Sequence, residues 1–480
     1  MENYTPTGSS FNDTISEFDT SDRAHADVLN VQVEALAENT KFLKNKQGDL
    51  ANLDTKAKES LVAAINEIAD GGRHIYGFHI SGTEGSPTAR VTYLKDAVGM
   101  TPAKMNYVSG KFEYGSWEDA FFMPRPCMLK KNGTVDYYLD PDDYTKKEDG
   151  VTASDVASIS YAGNAMMEWG QNGKKIWMKI EPDSGNIGAS VYIADYRVDS
   201  EYHDWPFHNY KGDSVDHFYT PIFNGSLDTS GALRSISGQA LMKTKQASEE
   251  MTAAKKNNPG TDVLWNMETY ADALLINMLL TLMAKSTDHQ TAFGEGLHTG
   301  GSEAINDGFR TGVHNTKGLF FGTNSGAIAL NSYGNAVKVF GMENWYGLQW
   351  RRYVGHIMDN GVQKVKLTYG TEDGSTATDF NFTGSGYITT AAAAPSGTSG
   401  GYISKEYFCD EGMFPVEASG TASTFDCDGL WFNNSIVAVP LRGGASYAGA
   451  LVGSFYVTLY SAATTAHWHF GAAVSCKPLA

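Results

Sequence analysis

The chain has 480 residues, a formal net charge of −18 and only 19% charged residues, with 51 glycines, 25 tyrosines and 23 phenylalanines. The length allows a large core and two or more domains. The negative charge speaks against binding nucleic acid or inserting into an anionic membrane, since counterion release needs a basic surface, and the composition predicts many short strands joined by loops. Cys127, Cys409, Cys427 and Cys476 show neither CxxC nor zinc-type spacing and are expected to be free thiols. The N-terminal stretch lacks a basic n-region and an apolar h-region, so no secretory signal is expected and the chain reads as soluble and made in a cytoplasm.

Residues 1–24 are rich in Ser, Thr, Asp and Gly without periodicity and read as a segment that is flexible or docked onto another protein. Residues 25–72 carry a heptad: Leu29, Leu36, Leu43 and Leu50 lie seven apart, with Ala26, Val33, Thr40 and Gln47 three residues before each. That is the a/d seam of a coiled coil that associates copies of the chain, the alternative being a helical hairpin packed on its own chain; polar Thr40 and Gln47 at a positions leave the oligomer number open. A second short helix is predicted over "KAKESLVAAINEIAD", ended by Gly71-Gly72. From residue 73 the pattern changes. "HIYGFHI", "RVTYL", "KIWMKIE" and "SVYIADYRV" read as strands, and "KQASEEMTAAKKNN" and "LWNMETYADALLINMLLTLMAK" as helices, the second apolar, carrying Asn277, and too short to span a bilayer. Strands, then two helices, then short strands describe an α+β fold, divided into a β-rich region, 73–154, and a larger domain, 155–480. "TTAAAAPSGTSGGYIS" (389–404) is read as a surface loop.

Candidate chemistry is sparse. His467 and His469 have the spacing of a metal pair on a strand, but no carboxylate or cysteine pattern supplies a third ligand, and surface aromatics are the reading preferred. Glu343 lies among Trp345, Tyr346 and Trp350 with Arg351 and Arg352 close by, which fits a buried pair locking a loop better than a catalytic acid. No nucleophile elbow, phosphate loop, HExxH or EF-hand spacing is present, so neither an enzyme nor a cofactor is expected. In "GSFYVTLYS", Phe455, Val457 and Leu459 form a core phase alternating with Ser454, Tyr456, Thr458 and Tyr460. In "AHWHFGAAV" the same alternation puts Trp468 and Phe470 on one face and His467 and His469 on the other. A fixed core with an irregular Tyr- and Ser-bearing exterior has the physical logic of a paratope.

"FGMENWYGLQWRRYVG" (340–355), "GTSGGYIS" (397–404), "LWFNNS" (430–435) and the frame "RGG…G…G.FYV.L" running to "GAAVSCKP" (442–478) resemble tail-fibre or receptor-binding proteins of bacteriophages of gut bacteria. These carry a C-type-lectin fold of the formylglycine-generating-enzyme type, and the last part resembles the variable region diversified by diversity-generating retroelements. The resemblance extends over most of the chain. It implies a virion protein, assembled as a homo-oligomer of three copies with other tail proteins, that binds a bacterial surface receptor, protein or glycan, through a variable region at about 425–476. The positions it marks as variable and ligand-binding are Phe425, Asp426, Asp428, Ala438, Val439, Ala445, Ser446, Tyr447, Ala448, Ala450, Leu451, Val452, Tyr460, Ser461, Thr464, Thr465, His467 and His469. Adenine-targeted variation of Asn codons yields Ala, Ser, Tyr, Leu, Val, Thr, His, Asp and Phe, which is the mixture found between the fixed residues. The cysteines match no catalytic pair of formylglycine-generating enzymes, so the resemblance implies their fold without their reaction. A structural tail or baseplate protein and a virion-associated glycan hydrolase are the alternative readings.

Overall fold

The computed structural model describes residues 26–47, 73–328 and 332–479. The chain forms two units, one up to Arg73 and one from His74 onward. In the first, an α-helix runs Ala26–Gln47 and leaves Val33, Leu36 and Leu43 exposed along the expected seam. Residues 1–24, Leu50 and the predicted second helix lie outside the described residues.

The unit from His74 is α+β and mostly strand. The stretches read as strands fold as Ile75–Ile80, Val91–Lys95, Trp177–Pro182 and Ala189–Ala194, which together make one four-stranded antiparallel sheet. A six-stranded sheet joins Arg125–Lys130 and Val135–Tyr138 to Gly163–Trp169, Phe218–Pro221, Val474–Cys476 and Trp265–Met267. The boundary expected between residues 154 and 155 is therefore corrected. Strands from both sides of it share both sheets, because each strand needs a hydrogen-bonded neighbour more than proximity in sequence. Trp265–Met267, read as the start of a helix, is instead a strand paired to Val474–Cys476. Within 389–404, Ser396–Gly397 pairs with Glu417–Ala418, so part of the expected loop is strand. All four cysteines are free.

The helix that follows, Tyr270–Ala284, begins at a capping box in which Thr269 and Asp272 exchange side-chain-to-backbone hydrogen bonds. Every residue of it is buried, so it is apolar all round instead of amphipathic. Its one amide side chain is used at both ends: Asn277 Nδ2 donates to the Ser454 carbonyl at 2.8 Å, and its Oδ1 accepts from Trp345 Nε1 at 2.9 Å. The helix thereby holds two segments that frame the C-terminal face. Among the described residues no helix is long and apolar enough to cross a membrane.

A third, eight-stranded sheet carries that face. Its order is Ser396–Gly397, Gly412–Gly420, Gly401–Cys409, Gly429–Phe432, Val457–Leu459, Leu441–Arg442, Trp350–Arg352 and Phe470–Ala472. Parallel pairing sets Leu430 opposite Val457, Trp431 opposite Thr458 and Phe432 opposite Leu459. Leu430, Val457 and Leu459 enter the main core, so Trp431 and Thr458 share the other face.

Three of the buried histidines in this unit, His289, His314 and His356, are kept neutral by their surroundings. His356 is held between Tyr353 Oη and Gln363 Oε1, both at 3.1 Å. His289 contacts Thr281 and Ser454, and His314 donates to the Ala336 carbonyl at 2.8 Å. Burial holds their pKa values down, to about 3 for His289 and about 4 for His314 and His356, against ~6.5 in an unfolded chain. Above pH ~6.5 both states are neutral and the full stability is present; as pH falls toward ~4 only the unfolded chain gains protons. Stability is therefore expected to fall by up to about 1.4 kcal/mol per pH unit for each of these histidines. Denaturation midpoints at pH 7.5, 6 and 5 check this, and a His356→Gln variant should show a shallower dependence.

Candidate functional site

The strands that frame the C-terminal face meet around a buried ionic cluster. Antiparallel pairing places Arg351 directly opposite Arg442, a like-charge pair that would repel. The Glu268 carboxylate lies against both: it accepts from Arg351 Nη1 at 3.3 Å to each oxygen and from Arg442 Nη2 at 3.2 and 3.1 Å. Arg442 also donates to the Trp345 carbonyl at 2.8 Å, and its guanidinium lies 3.6 Å from the centre of the Trp345 ring. Burial pulls its pKa down to about 10, against the opposing pull of Glu268, so it stays charged at neutral pH. Arg351 Nη2 donates to the carbonyls of Glu343 and Asn344. Arg352 pairs separately with buried Glu250.

Glu343 is locked in a way the sequence did not indicate. Its carboxylate accepts from the backbone N–H groups of Gly312 and His314 at 2.8 and 2.7 Å and faces Lys338; among the described residues no arginine side chain pairs with it. Burial raises its pKa.

After Arg442 the chain turns at Gly443 and Gly444, with φ of +83° and +80°, a region that favours glycine. A Cβ on Gly444 would fall 2.6 Å from Val452 Cγ2 and 2.7 Å from Tyr456 Cδ1. The loop that follows is pinned through its backbone: Ser446 N–H donates to the Leu348 carbonyl at 3.0 Å, Gly301 N–H to the Ser446 carbonyl at 3.0 Å, and Gly449 N–H to the His298 carbonyl at 2.9 Å. It lies beside the sheet face carrying Trp431 and Thr458, and together they enclose an open cavity of about 480 Å³. Its wall is made by Trp350, Trp431, Thr458 and Phe470 from the sheet and Tyr456 just before the strand Val457–Leu459, with Tyr447, Ala448 and Leu451 from the loop and Tyr460, Ser461 and His469 beyond.

Six of the expected positions, Tyr447, Ala448, Leu451, Tyr460, Ser461 and His469, are thus brought together. Tyr447 and Tyr460 are 47% and 51% exposed, enough to meet a ligand. The Tyr447 hydroxyl is 3.1 Å from His469 Nε2, and the His467 ring stands 3.8 Å from that of His469. Burial and the neighbouring His467 hold the His469 pKa down at about 3. Exposed His467 and Thr464 and half-exposed Thr465 surround the region without lining the cavity, and Ala450 lines a smaller cleft beside Tyr107 and Gln290.

Other expected contact positions are corrected to interior ones. Ala438, Val439, Ala445, Ser446 and Val452 are buried; Ser446 packs so closely on Gly301 that a Cβ there would lie 2.2 Å from its Oγ. Asp426 pairs with buried Arg90 at 2.9 Å, and Asp428 accepts from Phe455 N–H at 2.8 Å beneath Gly453. Phe425 is half-buried, its N–H donating to the Gly85 carbonyl at 2.7 Å. Phe425 and Asp426 thus face residues 85–90, which no local pattern connects to them.

The outward phase of "GSFYVTLYS" is also covered. Ser454, Tyr456 and Thr458 are 2%, 1% and 5% exposed: Ser454 lies against Asn277 and His289, Tyr456 packs on the Trp350 ring, and Thr458 stands in the cavity wall. The alternation read in "AHWHFGAAV" breaks at a turn closed by Phe470 N–H to the His467 carbonyl. The strand starts only at Phe470, and Trp468 packs on Tyr447, with ring centres 5.6 Å apart. Sequence reasoning missed Trp350, Trp431, Tyr456, Thr458 and Phe470 as cavity wall. Tyr456 and Thr458 carried a usable signal in the outward phase of "GSFYVTLYS", and Trp431 in its place next to Leu430. Among the described residues no three His, Cys, Asp or Glu side chains converge as metal ligands.

No protein-family model matches the chain, and no curated protein matches it. The arrangement itself is a preformed concave site on a rigid sheet, with aromatic walls and a few polar groups, the usual construction of a ligand-binding cleft.

Replacing Glu268 by Gln leaves Arg351 and Arg442 buried without a counter-charge, and the unfolding free energy is expected to drop by about 3–5 kcal/mol. Tyr447→Ala, at a half-exposed position, should change it by less than about 1 kcal/mol. Equilibrium chemical denaturation of both variants measures the contrast.

Proposed function

We propose that the chain is a bacteriophage tail adhesin, a receptor-binding protein that attaches the virion to the surface of its bacterial host. In this reading the unit from His74 contains a C-type-lectin-like receptor-binding domain, and its aromatic cavity is the attachment site. One observation carries the proposal: Tyr447, Ala448, Leu451, Tyr460, Ser461 and His469, all marked by the resemblance as variable, gather around one open cavity. Their backbone is held by contacts that do not depend on these side chains, as in the Ser446–Leu348 and Gly449–His298 hydrogen bonds. Exchange of the displayed groups would thus change what is bound without changing the fold.

The helix Ala26–Gln47 serves association in the same reading. Val33, Leu36 and Leu43 form an exposed apolar seam that further copies of the chain, three in total, would bury. Several weak sites on one fibre gain avidity of about 10²–10⁴-fold over a single site.

Deleting residues 430–480 is a poor test, since it removes central strands of the eight-stranded sheet. The informative variant is Tyr447→Ala with Tyr460→Ala. Purified protein carrying both is expected to lose at least about tenfold in retention on host cells with its denaturation midpoint unchanged; undiminished adsorption would place the attachment site elsewhere. Val33→Asp with Leu36→Asp should convert the oligomer to a monomer in analytical ultracentrifugation and weaken cell retention without altering the isolated site.

A further inference from the structure

The cavity beside Tyr447 has an unusual chemical composition for a chain of net charge −18. Its lining includes no Asp, Glu, Lys or Arg, and His469 stays uncharged at physiological pH because burial suppresses its protonation. Aromatic faces and uncharged hydroxyls make up most of the wall. Tyr456 Oη accepts from Trp431 Nε1 at 2.8 Å, which leaves its own O–H free to donate. The hydroxyls of Thr458, Tyr460 and Ser461 take part in no hydrogen bond among the described residues. Trp431 is 40% exposed and meets Tyr460 edge-on at 6.4 Å, so an indole face and phenol hydroxyls stand at one mouth.

Resting on the adhesin reading, we infer that this cavity binds a neutral glycan, one or two uncharged sugar residues at the end of a bacterial surface polysaccharide. A pyranose has an apolar C–H face rimmed by hydroxyls, so it needs aromatic surface and uncharged donors and acceptors together. The wall supplies both. An apolar protein side chain would fill the aromatic part and leave the hydroxyls of Thr458, Tyr460 and Ser461 dry and unpaired, which is unfavourable. An acidic sugar or a phosphate would need a cation that the wall lacks, and the negative charge of the whole chain would repel it. The volume of about 480 Å³ falls within the ~300–1,000 Å³ typical of clefts for compact ligands, whereas protein partners usually cover broad, flatter surfaces.

The test uses the purified full chain and polysaccharide extracted from the host envelope, split into neutral and acidic fractions by anion exchange. Titration is followed by tryptophan fluorescence, since Trp350 and Trp431 line the cavity. The neutral fraction should shift the emission and compete with cell binding. Raising NaCl from about 50 to about 500 mM should change the apparent Kd by less than about twofold, because no ionic side chain lines the site. Trp431→Ala should weaken binding at least about tenfold, and Tyr460→Phe, which keeps the ring, about three- to tenfold. Periodate treatment of the cells, which cleaves vicinal diols of sugars, should abolish binding, and protease treatment should spare it. Binding that survives periodate and is lost to protease identifies a protein receptor and overturns the glycan assignment while the adhesin reading stands. Competition by the acidic fraction alone overturns it equally. Failure to bind untreated host cells sinks the adhesin reading instead, and the polysaccharide titration, which needs no cells, still decides the ligand class.

Discussion

The carboxylate of Glu268 is the constraint on which the C-terminal half depends. Adjacent antiparallel strands carry Arg351 and Arg442 at directly opposed positions, and without a shared anion that register would set two buried cations against each other. Glu268 reaches both from the residue just before the cap of the central helix. It thereby ties that helix, the Glu343–Arg352 segment and the Arg-Gly-Gly turn to one point. The net stabilisation from such a cluster is modest once desolvation is counted, while its geometric demand is strict. Its main consequence is a fixed position for the turn at Gly443 and Gly444, and hence for the loop that bounds the cavity.

The atoms that hold the loop are not the ones it turns toward the cavity. The loop from Ala445 to Val452 is held by backbone hydrogen bonds to Leu348, Gly301 and His298 and by the buried side chains of Ala445, Ser446 and Val452. Tyr447, Ala448 and Leu451 are left to face the cavity. Across from them stand Trp350, Trp431 and Tyr456, none of which is among the positions marked as variable. In the proposed reading the site would combine a constant aromatic floor with an exchangeable rim. A constant floor keeps the cavity shaped when the rim changes, and the rigidity of aromatic and backbone-pinned groups limits the entropy lost on binding.

Much of the architecture was legible from local pattern. Alternation located Ile75–Ile80, Val91–Lys95, Trp177–Pro182 and Ala189–Ala194, and the apolar run around Asn277 identified the buried helix. The outward phase of Tyr460 and the loop position of Tyr447 were readable too, because a side chain at a strand end or on a glycine-flanked loop has few ways to be covered. The sequence carried no comparable signal for Asp426 and Asp428. Their partners, Arg90 and the Phe455 backbone, come from distant or non-periodic segments. Trp468 was misread because the strand begins three residues later than the alternation suggested, and a turn re-aims the ring toward Tyr447.

What the amino-acid order determined by itself was period and chemistry: which segments are strands, which helix is wholly apolar, where glycine permits a left-handed turn, and that the chain is acidic with little charge in its last third. Those properties follow from interactions within a few residues. Tertiary structure alone decided which outward-phase residues stay outside. Ser454 and Tyr456 have the same alternation as Tyr460, yet Asn277 and His289 cover the first and Trp350 the second. A strand has two faces of equal local standing, and only contacts between segments far apart in the chain determine whether the second meets water, a neighbouring loop or a cavity.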